Sequence, residues 1–155
     1  MIRVASALAF ELLDRHVVAD RGEEIACEDA SGSLTFARLL ERSAALAGGM
    51  LVLGVRDGDA IQVDLPAGNE RVVAVCAVIR LGALPSPDAA VQLTSIHGLG
   101  HIRINDNDVE LSLVERAGRS EPVPAGTSDE PGYADAITEA FGDIVGPLLS
   151  GSPVV

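Results

Sequence analysis

His97 and His101 stand four residues apart, the spacing at which two imidazoles on one helix face can share a metal ion. Gly98 and Gly100 argue against a helix there and no third ligand is apparent, so a loop is the better account. Asn105, Asp106, Asn107 and Asp108 set oxygen donors at alternate positions, which suits a hard cation such as calcium. The turn glycine and the distant bidentate acid of such a loop are missing, and a hairpin turn fits better. Ser6, Asp14 and His16 offer a hydroxyl, a carboxylate and an imidazole, but they lie on one helix surface with no nucleophile elbow or oxyanion donors indicated. They read as solvent-facing helix polarity. No residue is therefore assigned a catalytic, cofactor-binding or metal-binding role, and no cofactor is expected.

The last helical stretch offers a candidate of another kind. Asp135, Glu139 and Asp143, spaced by four, form an acidic ridge beside a stripe of Tyr133, Ile137, Phe141 and Ile144. Like charges at that spacing repel by roughly 0.3 kcal/mol each, which a basic partner would relieve. These seven residues are the expected interaction surface; the alternative is a core helix with a solvated outer face.

The elements around these candidates follow from periodicity. Leu8, Leu12 and Leu13 recur at helical spacing over 4–18. A short alternating run at 24–29, turn residues at 30–33 and a resumption at Leu34 predict a two-stranded hairpin. Thr35 is placed to cap a helix that runs to Leu53 and stops at Gly54, with Gly48 and Gly49 marking a close helix contact or a break. A strand follows at 60–65, then a helix opened by Gly68 or Asn69 and stopped by Gly82, then a short strand at 83–86. Beyond Asp88 the expectations are a loop over 92–100, a hairpin over 101–116 turning at Asp106 and Asn107, and a linker over 117–129. A helix over 131–148 with Pro131 in its first turn and a frayed end at 150–155 complete the chain.

Composition limits the function classes. A chain of 155 residues suits one domain, and 48% hydrophobic residues with only 3% aromatic call for a core of Ala, Val, Leu and Ile. All eleven basic residues are Arg, against twenty-three acids, for a formal charge of −12. Such a surface repels phosphate backbones and anionic lipid, so nucleic acid and membrane are excluded as partners and a basic protein face is favoured. Cys27 and Cys76 match no metal or redox spacing and read as reduced core thiols. No signal peptide or membrane-length apolar run is evident, so a cytoplasmic protein is expected.

Residues 8–87 carry a family resemblance. The stretch 12–29, LLDRHVVADRGEEIACED, resembles the opening of benzoate-CoA-ligase-like proteins, and LTFARLLERSAALAGGM resembles the helix entry of the same family. Gly54, Val55, Gly58, Asp59, Val63, Leu65, Pro66 and Glu70 then fall on its G-V-x-x-G-D…V…L-P…E run, and 82–87 on its G-A-x-x-x-P close. The chain thus resembles the N-terminal segment of the adenylate-forming acyl- and aryl-CoA ligases. In that family the segment is structural, whereas the phosphate loop with its Lys, the adenine motif, the ribose-binding Asp and the catalytic Lys lie elsewhere and have no counterpart here.

The resemblance implies an α/β fold in one domain: a small mixed sheet with helices packed on it, followed by a divergent hairpin and C-terminal helix. The expected function is that of a truncated, non-catalytic ligase-like domain acting through protein association. It would work as a homodimer or as accessory partner to another enzyme, an acyl-CoA ligase included. One subunit of a split ligase, an acyl- or aryl-binding module and an evolutionary remnant are the alternatives. An apolar face left bare by the missing remainder would be capped by the hairpin and last helix or by another subunit.

Overall fold

The structure, a computed structural model, describes residues 7–126 and 129–154. Helix α1 (7–18) joins a turn at Ala7–Ala9, a π-helical stretch at Phe10–Asp14 and a turn at Arg15–Val18. It buries Leu8, Leu12, Leu13 and His16, the stripe expected from the sequence with one histidine added. The Asp129 carboxylate accepts the N–H groups of Ala7 at 2.7 Å and Leu8 at 3.0 Å, at the positive end of this helix.

Strands β1 (Ile25–Asp29) and β2 (Gly32–Thr35) pair antiparallel as the expected hairpin. The Thr35 hydroxyl accepts the Arg38 N–H at 3.1 Å and starts α2 (Phe36–Leu53), which ends where Gly54 turns left-handed at φ 108°. Next come β3 (Ala60–Asp64), α3 (Asn69–Leu81) and β4 (Leu84–Pro85), a parallel strand–helix–strand unit. Every residue of α3 from Val72 to Leu81 is buried, which explains why its sequence is apolar on all sides.

The chain departs from expectation after Asp88. Residues 92–100 are not a loop: β5 (Val91–Ile96) and β6 (Leu99–Ile104) form an antiparallel hairpin around His97 and Gly98, both at positive φ. A two-residue turn with both centres left-handed matches strand twist, and a His in that position hid it from a Gly/Asn turn signature. The next turn uses Asn105 and Asp106, one residue earlier than expected, and leads to β7 (Asn107–Glu110). The second arm does not continue to 116. Leu111–Gly118 is helix α4, because Leu111, Val114, Glu115 and Gly118 recur at helical spacing and are all buried.

Helix α5 (Tyr133–Leu149) begins after Gly132, so Pro131 precedes the helix instead of entering its first turn. Nor is its end frayed. Arg15, His16 and Arg21 engage the carbonyls of Leu149, Leu148 and Gly151, and Val154 bridges to β1 with its N–H on Ala26 O at 2.7 Å. The Arg15 and Arg21 guanidinium groups at the negative end of α5 complement its dipole.

The large sheet has the order β4-β3-β5-β6-β7, parallel at β4-β3-β5 and antiparallel beyond, so the fold is mixed α/β. Ile61, Leu93, Ile102 and Ile104 enter the apolar core with α1, α2, α3 and α5. The opposite face carries Gln62, Gln92, Arg103 and Asp108 in one cross-strand row and Asp64, Thr94, His101 and Glu110 in the next. Of the chain's own two elements expected to cap the apolar side, α5 buries its stripe in the core, while the hairpin extends the sheet edge. Among the described residues no helix is long and apolar enough to cross a membrane.

Cys27 and Cys76 are both free and buried. Burial pushes the Cys27 thiol up to about 11 and the Cys76 thiol up to about 12. Because the thiolate is the reactive form, a thiol reagent near pH 8 is expected to label neither in the native protein and both after unfolding. Rapid labelling of the native chain would contradict this packing.

Candidate functional site

The groups nominated for chemistry do not converge. Asp14 turns to Arg80, and the buried His16 ring lies 4.8 Å from that of Phe36 with Nε2 at 2.7 Å from Leu148 O. Ser6 lies outside the described residues. His16 is therefore a core group holding a helix end, and not the solvent-facing residue expected from its neighbours. His97 sits in an exposed turn while His101 sits on β6 with Nδ1 at 2.9 Å from Asp108 Oδ1. No group of three or more His, Cys, Asp or Glu side chains suited to a metal is found among the described residues.

Asn105 to Asp108 are likewise consumed by the hairpin: Asn105 and Asp106 make the turn, and Asp108 pairs with His101 and faces Arg103 Nε at 3.6 Å. On α5 the expected surface divides. Tyr133, Ile137, Phe141 and Ile144 are buried in the core, where the Tyr133 hydroxyl donates to Ala83 O at 2.9 Å and burial raises its pKa. Asp135 and Glu139 are exposed, and Asp143 is exposed but paired with Arg71 at 2.7 Å. The ridge is on the surface; the stripe beside it is not.

A concave site forms elsewhere, at the end of the β1–β2 hairpin. A cleft of about 350 Å³ is lined by Asp29, Ser31, Gly32, Ser33, Leu34, Arg42, Asn69 and Glu70. Its geometry starts from Asp29 at the end of β1. This carboxylate accepts the Asn69 N–H at 2.7 Å, capping α3 from a distant strand because Gly68 supplies no side chain. Asp29 also accepts from Ser31 N at 2.8 Å and from Asn69 Nδ2 at 3.2 Å. Hydrogen bonds from Ser31, first of all, hold its pKa below the ordinary carboxylate value.

Asn69 is only 8% exposed; its Nδ2 bridges Asp29 and Gly32 O, and its buried Oδ1 has no hydrogen-bond partner among the described residues. Arg42, from α2, commits Nε and Nη2 to Glu115 of α4 at 3.1–3.2 Å. Glu70 follows Asn69 and rests its carboxyl group against Gly100 of β6, whose N–H it accepts; desolvation raises its pKa from the ordinary glutamate value. The sequence does not disclose this site because the hairpin end at 29–34, Arg42 and the pair at 69–70 meet only in the fold and share no local motif.

A model of the AMP-binding enzyme family matches residues 14–122, from the end of α1 through α4. An acetyl-coenzyme A synthetase of Streptomyces avermitilis is 30% identical over 140 residues, covering 87% of this chain and 21% of that protein. A dapdiamide synthesis protein of Enterobacter agglomerans is 28% identical over 144 residues, covering 86% and 24%. Among solved structures, the O-succinylbenzoate coenzyme A synthetase of Bacillus subtilis is 31% identical, covers 48% of this chain and 15% of its own, and superposes with a TM-score of 0.45. The chain spans about a fifth to a quarter of the length of these curated relatives.

Proposed function

The chain belongs to the AMP-binding enzyme family, and from that premise we propose that it serves as a non-catalytic ligase-like scaffold, acting by association with a polypeptide that carries the adenylation machinery. The observation that supports this reading is the use to which the family-matching residues are put. Gly54 and Gly82 are left-handed helix stops, and Gly58 is a positive-φ turn residue. Val55, Leu65 and Ala83 are core, and Asp59 accepts the Arg56 N–H at 2.7 Å. Each is spent on packing or turning.

Adenylyl transfer needs backbone amides and a cation arranged around a triphosphate. The chain has no lysine, and its charge of −12 opposes a polyphosphate. Large exposed apolar side chains are distributed over α1, β1, α2, β4, β6 and α4, so the association proposed here draws on charge and not on one greasy helix.

ATP–pyrophosphate exchange tests the catalytic half: the chain alone is expected to show none with acetate, benzoate or fatty acids, and turnover by the purified chain would refute the scaffold reading. Affinity purification from its host, with light scattering, tests the other half. A stoichiometric partner bearing a phosphate loop and lysine is expected; recovery of a self-associated species alone would remove the heteromeric assembly.

A further inference from the structure

We propose that residues 142–154, the second half of α5 with the turn and bridge that follow it, form a strap that opens as one unit while the rest of the chain stays folded, whether or not the chain associates with another protein. Phe141 leaves the helical region at φ −130° and ψ 33°, so α5 is two helical segments that meet at a kink. Beyond the kink, Pro147 has no N–H to give the Asp143 carbonyl, and Gly142 and Gly146 are weak helix formers at which an added Cβ would meet nothing within 4 Å. Helical cooperativity passes through an unbroken run of helical dihedrals, so the kink lets the two segments respond separately.

Anchorage divides at the same place. Ahead of the kink, the Tyr133 hydroxyl donates to Ala83 O, just before β4. Beyond it, the polar ties run to one receiving stretch, from the end of α1 to the start of β1. The Arg15 guanidinium donates to Leu149 O, His16 Nε2 lies 2.7 Å from Leu148 O, and Arg21 Nη2 donates to Gly151 O at 2.8 Å. The Val154 N–H donates to Ala26 O at 2.7 Å, beside the bridge from Val154 to Cys27. Because these ties join 148–154 to 15–26 alone, they are made and lost together. Arg71 of α3 clasps the kink itself: its Nη1 donates to Asp143 Oδ2 at 2.7 Å, and its guanidinium lies 5.9 Å from the Phe141 ring centroid.

Packing sets how often the strap opens. Ile144, Val145 and Leu148 are fully buried, so the closed form dominates and the open one is a minor population. Opening uncovers the outer edge of β1 at Ala26 and Cys27, whereas the pairing of β1 with β2 lies along the other edge and stays intact. The strap thereby governs whether the hairpin presents a covered or a bare strand edge.

Native-state hydrogen exchange across a series of sub-denaturing urea concentrations tests this, under conditions in which closing outpaces exchange. The amides of Val145, Leu148, Leu149 and Val154 are expected to converge on one opening. It exposes less surface than global unfolding, so its urea dependence is shallower than that of the slowest amides of α3. Ile137 and Thr138, ahead of the kink, are expected to stay out of it. Val114→Ala trims a buried side chain of α4, which packs on α2, and is expected to speed the slowest α3 amides at least fivefold while leaving the strap amides unchanged. Strap amides that exchange only together with α3, that speed up equally in Val114→Ala, or that open independently of one another would each overturn the proposal. The urea series on the unaltered chain decides between one opening and two without the variant.

Discussion

Gly118→Ala is expected to destabilise the chain by about 3 kcal/mol or more, although alanine is the better helix former by roughly 1 kcal/mol. The reason lies in how α4 crosses α2. A Cβ built on Gly118 would lie 1.8 Å from the Ala45 carbonyl oxygen and 2.3 Å from the Gly49 nitrogen. From the other side, a Cβ on Gly49 would lie 1.9 Å from Val114 O, and one on Gly48 would lie 2.4 Å from Glu121 O. The obstructing atoms are backbone, so no rotamer change relieves them. The helices would have to separate, and separation would disturb Val114 and the Arg42–Glu115 pair that seat α4.

Urea unfolding measures this directly, and the molecule supplies its own control. Gly142 and Gly146 lie in α5, where an added Cβ would meet nothing within 4 Å, so Gly142→Ala is expected to stabilise by up to about 1 kcal/mol. A Gly118→Ala midpoint equal to or above that of the parent chain would mean that α4 does not pack this closely.

That contact marks the limit of what the sequence discloses. Gly48 and Gly49 inside a strong helical pattern are a visible anomaly, and of the close contact or break read from them the structure contains the close contact. The other partner, Gly118, is hidden, because the alternation over 101–116 predicts a hairpin with a linker after it. In 107–113 the alternation of Val109, Leu111 and Leu113 fits a strand, while Leu111, Val114, Glu115 and Gly118 fit a helix equally well. Tertiary packing against α2 decides between them. The segment from Gly54 to Pro85 is legible because its glycines and prolines punctuate each element locally. The cleft is not, since Asp29 caps a helix that starts forty residues later in the chain. On α5 the acidic ridge is exposed as its spacing predicts, but the stripe beside it is already required by the core.

Arg80→Met is expected to cost about 3 kcal/mol, and the pair of changes Arg80→Met with Asp14→Leu considerably less than the sum of the single effects. Arg80 is 1% exposed in the last turn of an apolar helix. Its guanidinium pairs with Asp14 through Nη2, and its Nη1 lies 3.4 Å from both Asp14 Oδ2 and Val123 O, while Nε has no partner among the described residues. Two elements far apart in sequence, α1 and the segment after α4, are thus tied to α3 through one side chain. Removing the cation leaves a carboxylate whose side chain is only 20% exposed, and also strands the Val123 carbonyl. Residual solvent at Asp14 places the cost at the lower end of the range for broken buried pairs. Replacing both ions with apolar groups removes the stranded charge and returns the site to a core made mostly of Leu, Val and Ala. The measurement is a double-mutant cycle from chemical unfolding. A double variant as unstable as the two single effects added together would show that Arg80 and Asp14 contribute independently, and that the pair does not hold α1 to α3.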